Sequence, residues 1–96
     1  MKIDPQLASR REEILQIAAR HGAANVRVFG SRAHGPAHDD SDVDILVELQ
    51  PGRSLLDIIA IKQDLEDLLG RSVDVVTEQA VSPYIRRQVL QEAVRI

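Results

Sequence analysis

The stretch from Val26 to Val47 constrains the fold most. In it an apolar run ends at Gly30-Ser31, ten residues follow, and Asp42 and Asp44 then open a second apolar run. Side chains alternate between the two faces of a β-strand, so Asp42 and Asp44 share one face of the predicted second strand. The opposite face takes the apolar residues Val43, Ile45 and Val47. The pattern predicts a sheet in which a glycine turn lies beside two carboxylates.

Two carboxylates held this close repel each other unless a cation lies between them. Mg²⁺ is the natural neutraliser, because it takes one or two protein carboxylates and fills its other positions with water and substrate phosphates. Gly30 lets the backbone approach a phosphate, and Ser31 offers a hydroxyl and an N–H at the start of a helical turn. The stretch therefore predicts a site for a metal-bound nucleotide.

Hydrophobic periodicity, capping residues and turn residues divide the chain into helices and strands. The predicted helices cover residues 5–21, with a second possible start at Ser9, then 54–70, and a segment after Ser82-Pro83. The predicted strands cover residues 24–29, 42–48 and 72–77, with a helical turn and a loop between 31 and 41. In the last helix the inward side chains are predicted to be Ile85, Val89 and Ala93. We expect an α/β (α+β) fold with about three strands.

Length and composition limit the classes of protein and partner. Ninety-six residues provide one modest core, so a single domain over residues 1–96 is expected. No apolar run approaches the roughly 20 residues of a membrane span, and the polar, charged residues Met1 to Glu13 are not typical of a signal peptide. Together with the absence of cysteine, these features lead us to expect a cytoplasmic protein. The chain carries 12 Lys and Arg against 15 Asp and Glu, for a net charge of −3. Stable binding to long nucleic acid is therefore not expected.

Asp74 is a third acid, placed inside the apolar run of the predicted third strand. A charge among apolar residues is costly unless it is paired or bound to metal. Three carboxylates are typical of a two-metal site, in which one ion holds the triphosphate and the other activates the attacking hydroxyl. In that arrangement Asp42 and Asp44 hold the ions, and Asp74 serves the second ion and helps to deprotonate the nucleophile.

Together, Gly30-Ser31, the Asp42-Val43-Asp44 motif and Asp74 resemble the signature of the DNA polymerase β-like nucleotidyltransferase superfamily. The runs Phe-Gly-Ser-Arg-Ala-His-Gly and Ser-Asp-Val-Asp-Ile-Leu-Val are similar in particular to its minimal members, the MNT proteins encoded beside HEPN-domain toxins. Arg32 matches the arginine that follows Gly-Ser in the motif. His34 stands where many members have a second arginine, which predicts a weaker grip on phosphate.

The resemblance implies a small palm with a mixed sheet and helices packed on it. It also implies Mg²⁺-dependent transfer of AMP from ATP to a tyrosine of the partner toxin, an RNase, as in protein adenylyltransferases of the MntA type. Gly30, Ser31 and Arg32 would then bind the nucleotide, while Asp42, Asp44 and Asp74 would be catalytic and hold two Mg²⁺ ions. A hetero-oligomer with the HEPN toxin is expected.

Two alternatives to this antitoxin enzyme are open. One is a catalytically silent antitoxin that neutralises the toxin by binding alone, although a pure binder has no physical need for three converging carboxylates. The other is a nucleotidyltransferase that acts on a small molecule or an RNA end, for which 96 residues leave little room to hold the acceptor.

Weaker signals have simpler explanations. A calcium loop counted from Asp40 would need glycine where Ile45 stands and glutamate where Pro51 stands, so the EF-hand pattern fails. His34 and His38 are four residues apart, but without cysteine or a third clustered histidine they are interpreted as loop residues. Arg86 and Arg87 are typical of a solvated helix face, with contact to a partner as the open alternative.

Overall fold

The computed structural model describes residues 5–29 and 43–96. The helices are α1 (Pro5–Ser9), α2 (Arg11–Arg20), α3 (Leu55–Leu69) and α4 (Pro83–Glu92), and a 3-10 turn spans Glu78–Ala80. The strands are β1 (Ala23–Phe29), β2 (Val43–Leu49), β3 (Val73–Thr77) and β4 (Val94–Arg95). In these two ranges no helix is both long enough and apolar enough to cross a membrane.

The four strands form one sheet in the order β3-β2-β1-β4. β2 pairs with β3 in parallel, whereas β1 is antiparallel to both of its neighbours. The predicted mixed α/β architecture is confirmed, with one strand more than expected. β4 escaped prediction because two residues are too few to show the alternation that identifies a strand.

Opposite faces of the sheet bury two separate apolar clusters. The larger cluster joins Val43, Ile45 and Val47 of β2 to Ile14 of α2 and Ile61 of α3. The smaller cluster joins Leu46 of β2 to Val81 and Val89, with Phe29, Val76 and Ala93 packed against it. The apolar face predicted for β2 is thus confirmed, and α4 covers the other face.

The third helix begins and ends as its sequence predicts. Ser54 and Asp57 form a capping box. The Ser54 hydroxyl accepts a hydrogen bond from a backbone N–H of the first helical turn, and the Asp57 carboxylate accepts one from the Ser54 N–H. Gly70 ends the helix in the left-handed conformation, with φ of 68°, which favours glycine. Inside the helix, Ile61 and Leu65 are fully buried.

Two details of the other helices differ from prediction. The single helix expected over residues 5–21 is interrupted at Arg10, where the Ser9 hydroxyl donates to the Gln6 carbonyl and competes with the helical pattern. In α4, Val89 is buried and Ala93 packs against the smaller cluster, but Ile85 is 50% exposed. Ile85 lies in the first turn, at the outer margin of the contact, so its predicted inward position is wrong.

Candidate active site

Phe29, Asp44 and Asp74 form one row across three neighbouring strands. Phe29 is the register partner of Asp44 in the antiparallel pair, and Asp44 is the register partner of Asp74 in the parallel pair. Paired residues project from the same face of a sheet, and neighbouring strands lie about 4.8 Å apart. The two carboxylates therefore stand side by side, next to an aromatic ring.

The position of Asp44 follows from the alternation along β2. Its chain neighbours Val43 and Ile45 are fully buried on the opposite face, which leaves Asp44 half-buried on the face that also carries Leu46. The sequence predicted this separation of acid from core correctly. The acid is tolerated because it lies at the start of the strand, next to solvent.

Asp74 stands in a different environment from the one its sequence suggests. It is exposed, although Val73 and Val75 on either side of it are buried. β3 is an edge strand of the four-stranded sheet, and the carboxylate of Asp74 faces water. The burial cost that suggested a metal at Asp74 is therefore absent, and the case for this residue depends on its register with Asp44.

The start of β3 is held by Glu66 of α3. The Val73 N–H donates to Glu66 Oε2 at 3.0 Å, and Lys62 Nζ donates to the same oxygen at 2.7 Å. The hydrogen bond from Lys62, followed by that from Val73, lowers the pKa of Glu66 below its ordinary value of 4.5. Because Val73 directly precedes Asp74, Glu66 helps to fix where that carboxylate stands.

A second polar network begins beside Leu46, one row further along the same face. Arg27 Nη1 donates to Glu78 Oε1 at 2.9 Å, and the Arg27 side chain is only 11% exposed. Arg27 Nε donates to the Asn25 carbonyl, and Nη2 lies 3.9 Å from Glu48 Oε1. The Arg27–Glu78 pair therefore links the strand that leads into Gly30 to the segment that follows the strand of Asp74.

Sequence reasoning missed Arg27, Glu66 and Glu78. The one available signal was Arg27, a charged residue between Val26 and Val28 in a β-branched run, which calls for a partner. Glu66 and Glu78 gave none, because acids on a helix and after a strand are ordinary surface residues.

Four of the predicted site residues lie outside the described residues: Gly30, Ser31, Arg32 and Asp42. In the chain, Gly30 directly follows Phe29 and Asp42 directly precedes Val43. His34 and His38 also lie outside the described residues. The predicted helical turn and loop between residues 31 and 41 fall there too.

The described pair of acids is compatible with Mg²⁺. Two adjacent carboxylates match the one or two that this ion takes from a protein. Across residues 5–29 and 43–96, no three His, Cys, Asp or Glu side chains group closely enough to hold a metal ion. A site with three carboxylates therefore needs Asp42 in addition to Asp44 and Asp74.

Comparison with known proteins identifies the family. Residues 11–96 match the family described as Nucleotidyltransferase domain. The protein adenylyltransferase MntA of Thermococcus cleftensis is 38% identical over 95 residues, which cover 99% of this chain and 93% of that protein. A Methanocaldococcus jannaschii protein, provisionally named protein adenylyltransferase MJ0435, is 40% identical over 90% of this chain and 92% of its own length.

Solved structures agree with this assignment. One protein, provisionally described as a minimal nucleotidyltransferase, superposes with a TM-score of 0.85 at 52% identity, over 94% of this chain and 92% of that one. A toxin–antitoxin structure with AMP-PNP superposes with a TM-score of 0.74 at 23% identity, over 88% of this chain and 69% of that one, which shows a shared fold. The row of Asp44 and Asp74 thus lies on the fold of an enzyme family, and the chain belongs to the nucleotidyltransferases.

Proposed function

We propose that this protein is an antitoxin that transfers AMP from ATP to a tyrosine of a partner HEPN RNase toxin. The observation that carries the proposal is the register of Asp44 with Asp74, which sets two carboxylates side by side at the open end of a sheet face. A cation stabilises two neighbouring carboxylates, and a metal-bound nucleotide supplies one.

The names of the relatives support the choice of acceptor. Both adenylyltransferases described above are named for modifying proteins, and they align with nearly the whole chain. The toxin–antitoxin neighbour with AMP-PNP, an analogue of ATP, supports a toxin partner and an adenine nucleotide. A net charge of −3 gives no general attraction to RNA, which favours a docked protein over an RNA end as the source of the nucleophile. The complex would be a hetero-oligomer in the cytoplasm.

In the proposed reaction the acceptor hydroxyl oxygen bonds to the α-phosphorus of ATP, and the bond from that phosphorus to the β-phosphate bridging oxygen breaks. Pyrophosphate leaves, and the hydroxyl proton passes toward Asp74. Asp42, Asp44 and Asp74 would hold two Mg²⁺ ions, which supply charge neutralisation at the phosphates and activation of the hydroxyl. Gly30, Ser31 and Arg32 would bind the phosphates.

Replacing Asp44 with Asn tests the role of the acids. The variant should fold, because Asp44 is at the solvent end of its strand, but AMP transfer should fall by orders of magnitude. The assay is labelling of the purified toxin, encoded by the neighbouring gene, with radioactive ATP and Mg²⁺. Asp42→Asn should behave in the same way, whereas Asp67→Asn, an exposed change on α3, should label at the wild-type rate. Wild-type labelling by both site variants would eliminate the two-metal proposal.

Mass spectrometry tests the acceptor. After incubation with this protein, Mg²⁺ and ATP, the toxin should gain whole AMP units on a tyrosine while its RNase activity falls in parallel. The rival antitoxin that only binds makes the opposite prediction. Inhibition of the RNase by Asp42→Asn as strong as that by the wild type, with no added mass in either reaction, would show that contact alone is the mechanism.

A further inference from the structure

Helix α4 stands on the same side of the sheet as the acids. Val89 of α4 packs in the smaller cluster with Leu46, which shares its strand face with Asp44. Val76, which shares its face with Asp74, packs against that cluster as well. A protein bound to α4 would therefore lie on the side of the sheet that carries Asp44 and Asp74.

The outer side of α4 carries a groove of unusual charge for this chain. Among residues 5–29 and 43–96 its lining contains two cations, two apolar residues and an amide, and no carboxylate: Arg86, Arg87, Pro83, Leu90 and Gln91. Tyr84, beside the groove, is 97% exposed. The acid of this helix, Glu92, is turned away and accepts a hydrogen bond from Gln88. The groove is thus locally positive in a protein of net charge −3.

The two arginines differ in their contacts. Arg86 Nη2 donates to the carbonyls of Gln79 and Val81, at 3.4 and 3.1 Å, which fixes this guanidinium against the preceding segment. Arg87 is exposed, and among the described residues it forms no ion pair. Arg87 is therefore the cation that can receive a carboxylate from outside.

We propose that the α4 groove is the docking surface for the acceptor protein, which presents an acidic and partly apolar surface to Arg87, Leu90 and Tyr84. This inference rests on the proposed function, because it places the acceptor on the side of the sheet that carries Asp44 and Asp74. Tyrosine and arginine are the residue types that most often dominate binding energy at protein interfaces. Two arginines beside apolar side chains suit a protein better than a polynucleotide, whose binding needs many cations.

Arg87→Glu tests the groove, with Arg11→Glu as its matched control. Both residues are exposed on helices and undergo the same change of charge, but Arg11 begins α2, which packs on the opposite sheet face. Titration calorimetry with the toxin encoded by the neighbouring gene should show a dissociation constant raised at least about tenfold for Arg87→Glu. For Arg11→Glu the constant should stay within about twofold of the wild type.

Kinetics separate docking from chemistry. Arg87→Glu should raise the KM for the toxin while the KM for ATP and the kcat at saturating toxin keep their wild-type values. Tyr84→Ser should raise the KM for the toxin in the same way, without any change of charge. An unchanged KM for the toxin in both variants would overturn the docking proposal without contradicting the proposed AMP transfer. Loss of toxin binding in Arg87→Glu, when the wild type binds the toxin but transfers no AMP, would support the groove and refute the proposed function.

Other occupants of the groove give other results. If a second copy of this chain filled it, light scattering would show Arg87→Glu dissociating a wild-type oligomer, with toxin affinity unchanged. If RNA filled it, Arg87→Glu would weaken binding of a single-stranded oligonucleotide and not of the toxin. Either result would overturn the proposal.

Discussion

Replacing the two partners of the Arg27–Glu78 ion pair one at a time should lower the free energy of unfolding by unequal amounts. Arg27 is 11% exposed, whereas Glu78 is 33% exposed, so water reaches one charge and not the other. Removing Glu78 leaves a guanidinium buried without its nearest carboxylate. Removing Arg27 leaves a carboxylate that solvent can hydrate. We therefore expect Glu78→Ala to lower the free energy of unfolding more than Arg27→Met does.

The structure sets the magnitudes. Breaking a buried ion pair from one side costs about 3–5 kcal/mol. Two features reduce that cost for Glu78→Ala: Glu78 is one-third exposed, and Glu48 Oε1 lies 3.9 Å from Arg27 Nη2 as a substitute partner. A loss of about 2 kcal/mol remains. Arg27→Met keeps an apolar stem beside Leu46, and it removes Nη2, a buried donor that lacks a hydrogen-bond partner. The free energy of unfolding should therefore fall by less than about 1 kcal/mol in this variant.

Urea unfolding followed by circular dichroism measures both losses, with the slope of free energy against urea serving as a check that each variant unfolds as the wild type does. The double variant completes a cycle, and its loss should be smaller than the sum of the single losses, because neither charge is left behind. An Arg27→Met loss equal to or larger than that of Glu78→Ala would refute the reasoning, since burial would then not decide which partner matters.

Two further predictions concern metal binding at the acids and the contacts of Glu66 at the start of β3. Mg²⁺ with ATP should raise the melting temperature more than either alone, and Asp74→Ala should shrink the gain; a thermal-shift titration without Mg²⁺ dependence would favour the antitoxin that only binds. Because the pKa of Glu66 is lowered in the folded protein, its charged contacts stabilise fully above its ordinary pKa of 4.5 and are lost as pH falls through the folded value. Urea unfolding should therefore show wild type more stable than Glu66→Gln at neutral pH, with the difference closing on acidification, and a difference independent of pH would contradict this account.

The sequence predicted those parts of the fold that depend on local pattern. The capping residues at Ser54 and Asp57, the end of the helix at Gly70 and the alternation along β2 are all set by a few neighbouring residues, and each appears in the structure. Strand order and the exposure of Asp74 depend on which strand pairs with which. No single segment contains that information, so the edge position of β3 could not be predicted from the apolar residues around Asp74.

The same limit applies to the site. The face shared by Asp44 and Leu46 carries acids at the start of β2, and aliphatic side chains lie under α4 in its middle. Arg27 lies beside Leu46 and reaches Glu78, which follows the end of β3. In the middle, Leu46 has no exposure at all, so a carboxylate two residues further along β2 would be buried under α4 at a cost of several kcal/mol. The reach of α4 thus excludes an acid from the middle of this face and leaves the two ends of β2, where Asp44 is half-buried and Glu48 is exposed. Of these two ends, the start of β2 pairs with Phe29, the last residue of β1, so the packing under α4 and the antiparallel register together place Asp44 beside the residue that directly precedes Gly30-Ser31 in the chain.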